Sequence, residues 1–279
     1  MDMNVKKTWV LLILACLSFA LQAQRKPKIK GNRSVIEVSE RLTAFNSIEV
    51  NDDLDITLRR ASDPGYRITA DDNLIDVLKI RVADSTLVIS SFYQITAKKK
   101  LEITIDYQYL KSITIREGNV KSEDKISSEE LVIHTLGSSK TDLNTDANSV
   151  HIQMEDNSSG RFNVMTDSLR VTMDKKADAS IYTDAYKNYL VMEGNTSLSL
   201  EGKSDLLNFK LAGNANLKAQ DLDARAVTAI LEASSNARVF STTSLELSQS
   251  GSSRCYLYGD PKIDIVQFLD TSELFKRKK

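Results

Sequence analysis

The sequence predicts an all-β fold: a right-handed parallel β-helix with about 19 residues per coil, an N-terminal cap and a short C-terminal cap. Three observations lead there. Apolar residues alternate with period two through most of the chain, strand-and-corner units recur at a near-constant spacing from about residue 110 onward, and helical spacing is almost absent. With 279 residues, 41% of them hydrophobic, the chain has ample material for an apolar core, and its 10 Gly and 3 Pro are too few for a collagenous or low-complexity chain. Lys and Arg number 37 against 38 Asp and Glu, a formal charge of -1, so bulk charge gives no ground for nucleic-acid binding.

Residues 1–23 have the layout of a signal peptide: Lys6 and Lys7, an apolar run from Trp9 to Leu21, then Leu21-Gln22-Ala23 before a polar start. The run is too short to span a bilayer and no second one follows, so no transmembrane segment is expected. The alternative is a lipoprotein anchored through Cys16, but Leu14 fits a lipidation box poorly and the apolar run ends later, which favours cleavage after Ala23. The chain is therefore expected to be exported, to the periplasm, the outer-membrane surface or the medium. Cleavage leaves Cys255 as the sole cysteine, so packing rather than a disulfide must stabilise the fold. In Cys255-Tyr256-Leu257-Tyr258 alternation places the thiol on the side of Leu257, hence inside.

Residues 24–37 are expected to be a flexible N-terminal segment, and 38–264 a single β-helix domain. Phe45, Ile48, Val50, Leu54, Ile56 and Leu58 alternate, as do Leu87 and Ile89, and Leu101, Ile103 and Ile105. Asp72 to Leu78 is the exception, a single capped helical turn suited to covering the N-terminal end. In the repeat, Leu143, Phe162, Ile181, Leu198, Leu217, Val239 and Leu257 lie 19, 19, 17, 19, 22 and 18 residues apart. Two positions before each stands a small residue: Thr141, Gly160, Ala179, Thr196, Ala215, Ala237 or Cys255. Stacked coils need such a column at a tight inward corner. Between the strands, corners such as Gly137-Ser138-Ser139-Lys140, Gly194-Asn195-Thr196 and Gly251-Ser252-Ser253-Arg254 supply residues that tolerate a sharp change of direction. Right-handedness follows from the crossover rule. The rival, an antiparallel sandwich, does not require the small column. Residues 265–279 are assigned to a C-terminal cap and basic tail.

Phe45-Asn46-Ser47-Ile48-Glu49-Val50, then Leu54-Asp55-Ile56-Thr57-Leu58, then Ile68-Thr69-Ala70-Asp71-Asp72-Asn73-Leu74-Ile75-Asp76-Val77-Leu78-Lys79, resembles the head-GIN-domain family of auto-transporter adhesins. The closing Tyr256-Leu257-Tyr258-Gly259-Asp260-Pro261 is similar too, so the likeness spans about residues 38 to 263. Lys175-Lys176-Ala177-Asp178 departs from it where that family shows Gly-Ser-Gly. The resemblance implies an exported β-helical protein, commonly of Bacteroidetes, with an adhesin label, and it carries over no catalytic residues.

The chemistry on offer is sparse. His134 and His151 fall on neighbouring coils as diagonal outward neighbours, which is a poor metal site. Asp142, Asp146, Asp156, Asp167, Asp174, Asp178 and Asp184 resemble the clustered acids of β-helical pectinases, yet Met165 interrupts the phase shared by Asp146 and Asp184, so no carboxylate ladder forms. No phosphate-loop context and no Gly-x-Ser-x-Gly elbow is present. Lys98-Lys99-Lys100 and Lys276-Arg277-Lys278-Lys279 read as a solvated hairpin and a frayed terminus. Tyr182, Tyr186, Tyr189, Tyr256 and Tyr258 are the candidate binding face, since aromatic rings stack on sugars or fill a partner's pocket. The expected function is a non-enzymatic envelope or surface module, without catalytic, metal or cofactor residues, that binds polysaccharide, a surface protein or another copy of itself. A β-helical polysaccharide lyase or glycoside hydrolase is the alternative.

Overall fold

Burying one side of an extended chain requires apolar residues at every second position, and this chain supplies them almost end to end. The computed structural model describes residues 26–278. Residues 1–23, where a signal peptide is expected, lie outside the described residues, and so do Cys16 and the expected cleavage point after Ala23. The N-terminal part comprises β1 (Lys28–Lys30), β2 (Val35–Arg41), β3 (Ser47–Val50), β4 (Asp55–Arg60), β5 (Gly65–Asp71), a helical turn α1 (Asp72–Ile75), β6 (Leu78–Ala83), β7 (Thr86–Ser91), β8 (Gln94–Ala97), β9 (Leu101–Tyr107), β10 (Ser112–Ile115) and β11 (Asn119–Ser122). There follow β12 (Ile126–Thr135), β13 (Lys140–Met154), β14 (Ser159–Met173), β15 (Asp178–Met192), β16 (Ser197–Leu211), β17 (Asn216–Leu231), β18 (Asn236–Gln249), β19 (Arg254–Tyr258), β20 (Lys262–Phe268) and β21 (Glu273–Lys276).

The strands stack in parallel as a solenoid of about nine turns about 19 residues apart. From β13 to β18 each turn is one long strand and a corner, and each strand bends where its pairing is interrupted, at Asn148, Asp167, Tyr186, Asp205 and Arg225 in β13 to β17 and at Thr242-Thr243 in β18. Side chains therefore pile in files, and the inward ones form one apolar core running from Phe45 to Leu257.

Register corrects the expected columns in two coils. Thr141, Gly160, Ala179, Leu198, Leu217, Ala237 and Cys255 share one inward file, with spacings of 19, 19, 19, 19, 20 and 18. Leu200, not Leu198, stands over Ile181, and Ala219, not Leu217, stands under Val239. The irregular steps of the expected column disappear. The reason is shared volume: Gly160 is followed two positions on by Phe162, and Leu217 by Ala219, so neighbouring inward positions divide the same space in opposite ways. The strictly small file lies at the end of the corner, where Ser139, Ser158, Ala177, Thr196, Ala215, Ser235 and Ser253 are all buried. Their carbonyls accept backbone hydrogen bonds from the turn above, for example Ser159 N to Ser139 O at 2.9 Å and Asn216 N to Thr196 O at 2.9 Å.

Each corner also needs one residue in the left-handed region. Gly118, Gly137, Asp156, Lys175, Gly194, Gly213, Ala233, Gly251 and Asp270 fill that position, with φ between 58° and 87°. Where a corner lacks Gly, a residue with a Cβ takes the same backbone shape rather than the corner changing form.

At the N-terminal end the turns do not follow chain order. β3 pairs in parallel with β7 on one side and β10 on the other, and β4 likewise lies between β9 and β11. The chain makes the β3–β4 turn, leaves to build the end, returns as β7 and β9 outside it, then crosses to β10. That end is closed by antiparallel strands: β6 on β7, β5 on β9 and β2 on β5. α1 packs there with Leu74 fully buried; the helical turn expected over Asp72 to Leu78 is present, but Asp71 holds the N-cap position without a side-chain capping bond, so the cap expected from Asp72 is not made. Residues 24–37 are not all flexible, because β1 pairs with β8 and β2 begins at Val35.

Residues 265–275 are not a cap. β20 pairs in parallel with β18, and β21 with β19, so they form one more turn. The basic run begins within that turn: Lys276 ends β21 and bonds to Gly259 O and Asp260, and Arg277 N donates to Leu257 O at 2.8 Å.

Candidate functional site

Because register is kept, outward residues also form files, and two of them line a groove of about 620 Å³ across successive turns. The first runs Asp55, Asn119, Lys140, Ser159, Asp178. The second, two residues further along each strand, runs Thr57, Lys121, Asp142, Arg161, Ser180. Glu102 of β9 joins them at the N-terminal end. Adjacent strands lie about 4.8 Å apart, so the groove offers a polar group at that interval along two parallel lines.

Charges alternate along it. Asn119 Nδ2 donates to Asp55 Oδ1 at 2.6 Å, and this bond, opposed by partial burial and assisted by Lys98 and Lys121, holds the Asp55 carboxyl below the usual carboxylate range. Arg161 Nη2 donates to Asp142 Oδ2 at 2.5 Å across one turn. The Lys140 ammonium has no hydrogen-bond or ion-pair partner among the described residues, and the exposed Arg161 guanidinium keeps most of its donors for solvent or a ligand. Between the two files the backbone passes through Gly160, where the Phe162 ring occupies the space a Cβ would need.

The five tyrosines do not form one face. Tyr182, half exposed, sits on β15 two positions beyond Ser180 and so flanks the groove. Tyr256 continues the Thr57 to Ser180 file four turns on, through Ser199, Lys218 and Arg238. Its ring stacks on Phe275 at 5.0 Å between the guanidinium groups of Arg238 and Arg277. Tyr258 stands beside Phe240. Tyr186 is at the bend, its ring 5.4 Å from Lys187 Nζ, beside a smaller cavity of about 430 Å³ with Asp184, Lys203, Asp205, Asp223 and Arg225. Tyr189 lies on the segment beyond the bend, under Arg170 at 5.4 Å.

The remaining candidates are dispersed. His151 pairs with Val132 and His134 with Gln153, the diagonal placement expected, and His134 Nε2 meets Glu155 Oε1 at 3.0 Å. Burial, then the Arg170 charge, pushes the His151 imidazole down. Met165 separates Asp146 from Asp184 in their file. Among the described residues no group of three or more His, Cys, Asp or Glu is placed to hold a metal ion. Cys255 is a buried thiol pushed up to about 12 by burial. Lys98-Lys99-Lys100 is tied down rather than free, by Lys98 to Asp55 at 3.3 Å, the Lys99 backbone N–H to Asp71 at 3.0 Å and Lys100 to Glu102 at 3.1 Å.

The groove escaped sequence reading because Asp55 becomes the neighbour of Asn119 only through the out-of-order N-terminal turn. Lys140, Ser159 and Asp178, one coil apart on the outward phase, were the part of the signal present in the repeat.

Three solved structures share the fold. A "putative adhesin" from Parabacteroides distasonis matches with TM-score 0.69 and 15% identity, over 90% of this chain and 100% of that one. A "putative adhesin" from Parabacteroides merdae gives 0.67 and 15%, over 90% and 99%. A "putative lipid binding protein" from Parabacteroides distasonis gives 0.64 and 18%, over 90% and 99%. No curated protein matches the chain in sequence. No helix among the described residues is long and apolar enough to cross a membrane. The family profile described as "Putative auto-transporter adhesin, head GIN domain" matches residues 44–164 and 157–261, and the chain belongs to that family.

Proposed function

We propose that this protein is an exported, non-enzymatic module of the cell envelope or surface that grips an extended polymer, a polysaccharide in the first place, along the two-file groove. The carrying observation is the groove itself: two lines of hydrogen-bonding and charged groups, from Asp55 to Asp178 and Thr57 to Ser180, laid across stacked turns at a constant interval. Many shallow contacts repeated along a rod suit an extended ligand better than a compact one. Free Lys140 and solvent-facing Arg161 supply the cationic contacts, and Tyr182 supplies an aromatic face at the rim.

A hydrolase needs one carboxyl kept protonated as general acid, hence a raised pKa. Asp55 and Asp156 are both held below the usual carboxylate range, each through hydrogen bonds that favour the charged form, so neither is suited to be that acid, whereas both are suited to bind as anions.

The test is a glycan array on the purified chain, with fractionation of the expressing cells. Lys140→Glu with Arg161→Glu should abolish the glycan signal while the melting temperature holds. Unchanged glycan binding in that variant, product release from a bound glycan, or a cytoplasmic pool would overturn the proposal.

A further inference from the structure

The two ends of the solenoid differ. At the N-terminal end two strands have an unpaired edge among the described residues, β2 with Glu37, Glu40 and Arg41 and β6 with Lys79 and Arg81, and both carry charges of the kind that block strand addition. At the other end β20 pairs only with β18 among the described residues, which leaves its second edge without a partner strand there. Ile263 stands over Leu245, Ile265 over Leu247 and Phe268 over Gln249, so these side chains continue the core files. Leu245 and Leu247 are fully buried, yet Ile263 is 40% exposed, Ile265 50% and Phe268 43%, with Val266 and Leu269 exposed beside them. A core layer facing water beside an unpaired strand edge is an interface.

We infer that this end docks against the same end of a second copy, in a two-fold dimer in which β20 pairs antiparallel with its symmetry mate. The protected N-terminal edges cannot serve as the complement, which excludes a head-to-tail stack. The strand is also self-complementary. Lys262 and Asp264 flank Ile263, point away from the core and have no ion-pair partner among the described residues. Antiparallel pairing centred on Ile263 sets each Lys262 opposite the other copy's Asp264, and lays one set of apolar residues on the other. Opposite charges directly across a strand pair favour this register, whereas centring on Asp264 would oppose two carboxylates.

Light scattering over a concentration series is the test. The chain should be a dimer, and Ile265→Lys a monomer with unchanged strand content by circular dichroism. Should Ile265→Lys disturb folding, Val266→Lys, at the most exposed apolar position of the turn, replaces it. Lys262→Glu alone should weaken the dimer about tenfold, and Lys262→Glu with Asp264→Lys should restore it, because the exchange recreates both pairs. A monomer at all concentrations, open-ended oligomers, or no recovery in the exchange variant overturns the inference. So does co-sedimentation of monomer with phosphatidylcholine vesicles that Ile265→Lys abolishes, which would make a lipid surface the occupant.

Discussion

Gly194 lies directly over Lys175, and a Cβ built on Gly194 would stand 2.8 Å from the Lys175 carbonyl oxygen. Both residues have positive φ, 73° and 63°, and Asn195 N donates to that same carbonyl at 2.7 Å. The left-handed corner is thus a repeating hydrogen-bonded device, and the side chain at each corner is a local perturbation of it.

Replacing Ala233, φ 58°, by Gly should therefore stabilise the protein. Relief of the left-handed strain is worth about 1–2 kcal/mol, partly offset by the greater unfolded-state freedom of Gly, leaving about 0.5–1 kcal/mol. The melting temperature should rise by about 2 °C. The reverse change, Gly213→Ala, adds strain at φ 70° and brings a Cβ to 3.0 Å from Gly194 O, so it should lower stability by at least about 1 kcal/mol. Thermal melts of the two variants moving in the same direction would refute the device.

The division of volume between Gly160 and Phe162 gives a second test. Gly160→Ala should cost about 1–3 kcal/mol, because the added methyl meets the Phe162 ring in a filled core. Gly160→Leu combined with Phe162→Ala copies the arrangement of Leu217 and Ala219 and should be more stable than Gly160→Leu alone. Denaturant midpoints of the three variants decide it.

These two cases show what was legible in the sequence. The period was, because backbone register fixes it: Thr141, Gly160 and Ala179 stand where their spacing put them. Leu198 and Leu217 were misplaced because size alone does not mark a file when two neighbouring positions share one volume. The corner conformation at Lys175 and Ala233 was hidden, since nothing local to those two residues prefers positive φ and stacking imposes it, whereas Asp156 is of a type that tolerates it. The last turn read as a cap because its alternation breaks at Val266, where a register shift brings Ile265 and Phe268, three residues apart, over inward positions, and only pairing with β18 reveals them as another layer. Of the candidate site, the tyrosines were visible by type but not by position, and the groove depended on the inserted β3–β4 turn.

The Asn119 to Asp55 bond ties that inserted turn to the next one, and it predicts an acid response. The folded Asp55 pKa lies below 3.8, so its contribution to stability is present above 3.8 and is lost as pH falls through the folded value. Asn119→Ala removes the leading cause and should flatten the fall in melting temperature as pH drops below 3.8. An acid limb as steep as that of the parent chain would show that the bond does not bias Asp55 in solution.

At the alkaline side the sign is set by Cys255. Its folded pKa is about 12, raised from 9.0 by burial between Ala237 and Leu274 in their inward file. Between those values the unfolded thiol loses its proton while the folded one retains it. The unfolded state then binds fewer protons, so stability falls as pH rises from about 9 towards 12. At pH 10.5 the loss amounts to roughly 2 kcal/mol, at 1.36 kcal/mol per pH unit. Tyr107, raised to about 12 mainly by burial, adds a loss of the same sign starting near 10. Cys255→Ala keeps a small residue in the file and removes only the thiol contribution, so its melting temperature should decline less between pH 8 and pH 10.5 than that of the parent chain. Parallel curves, or rapid labelling of the native thiol by a maleimide at pH 8, would contradict a sealed core at this position.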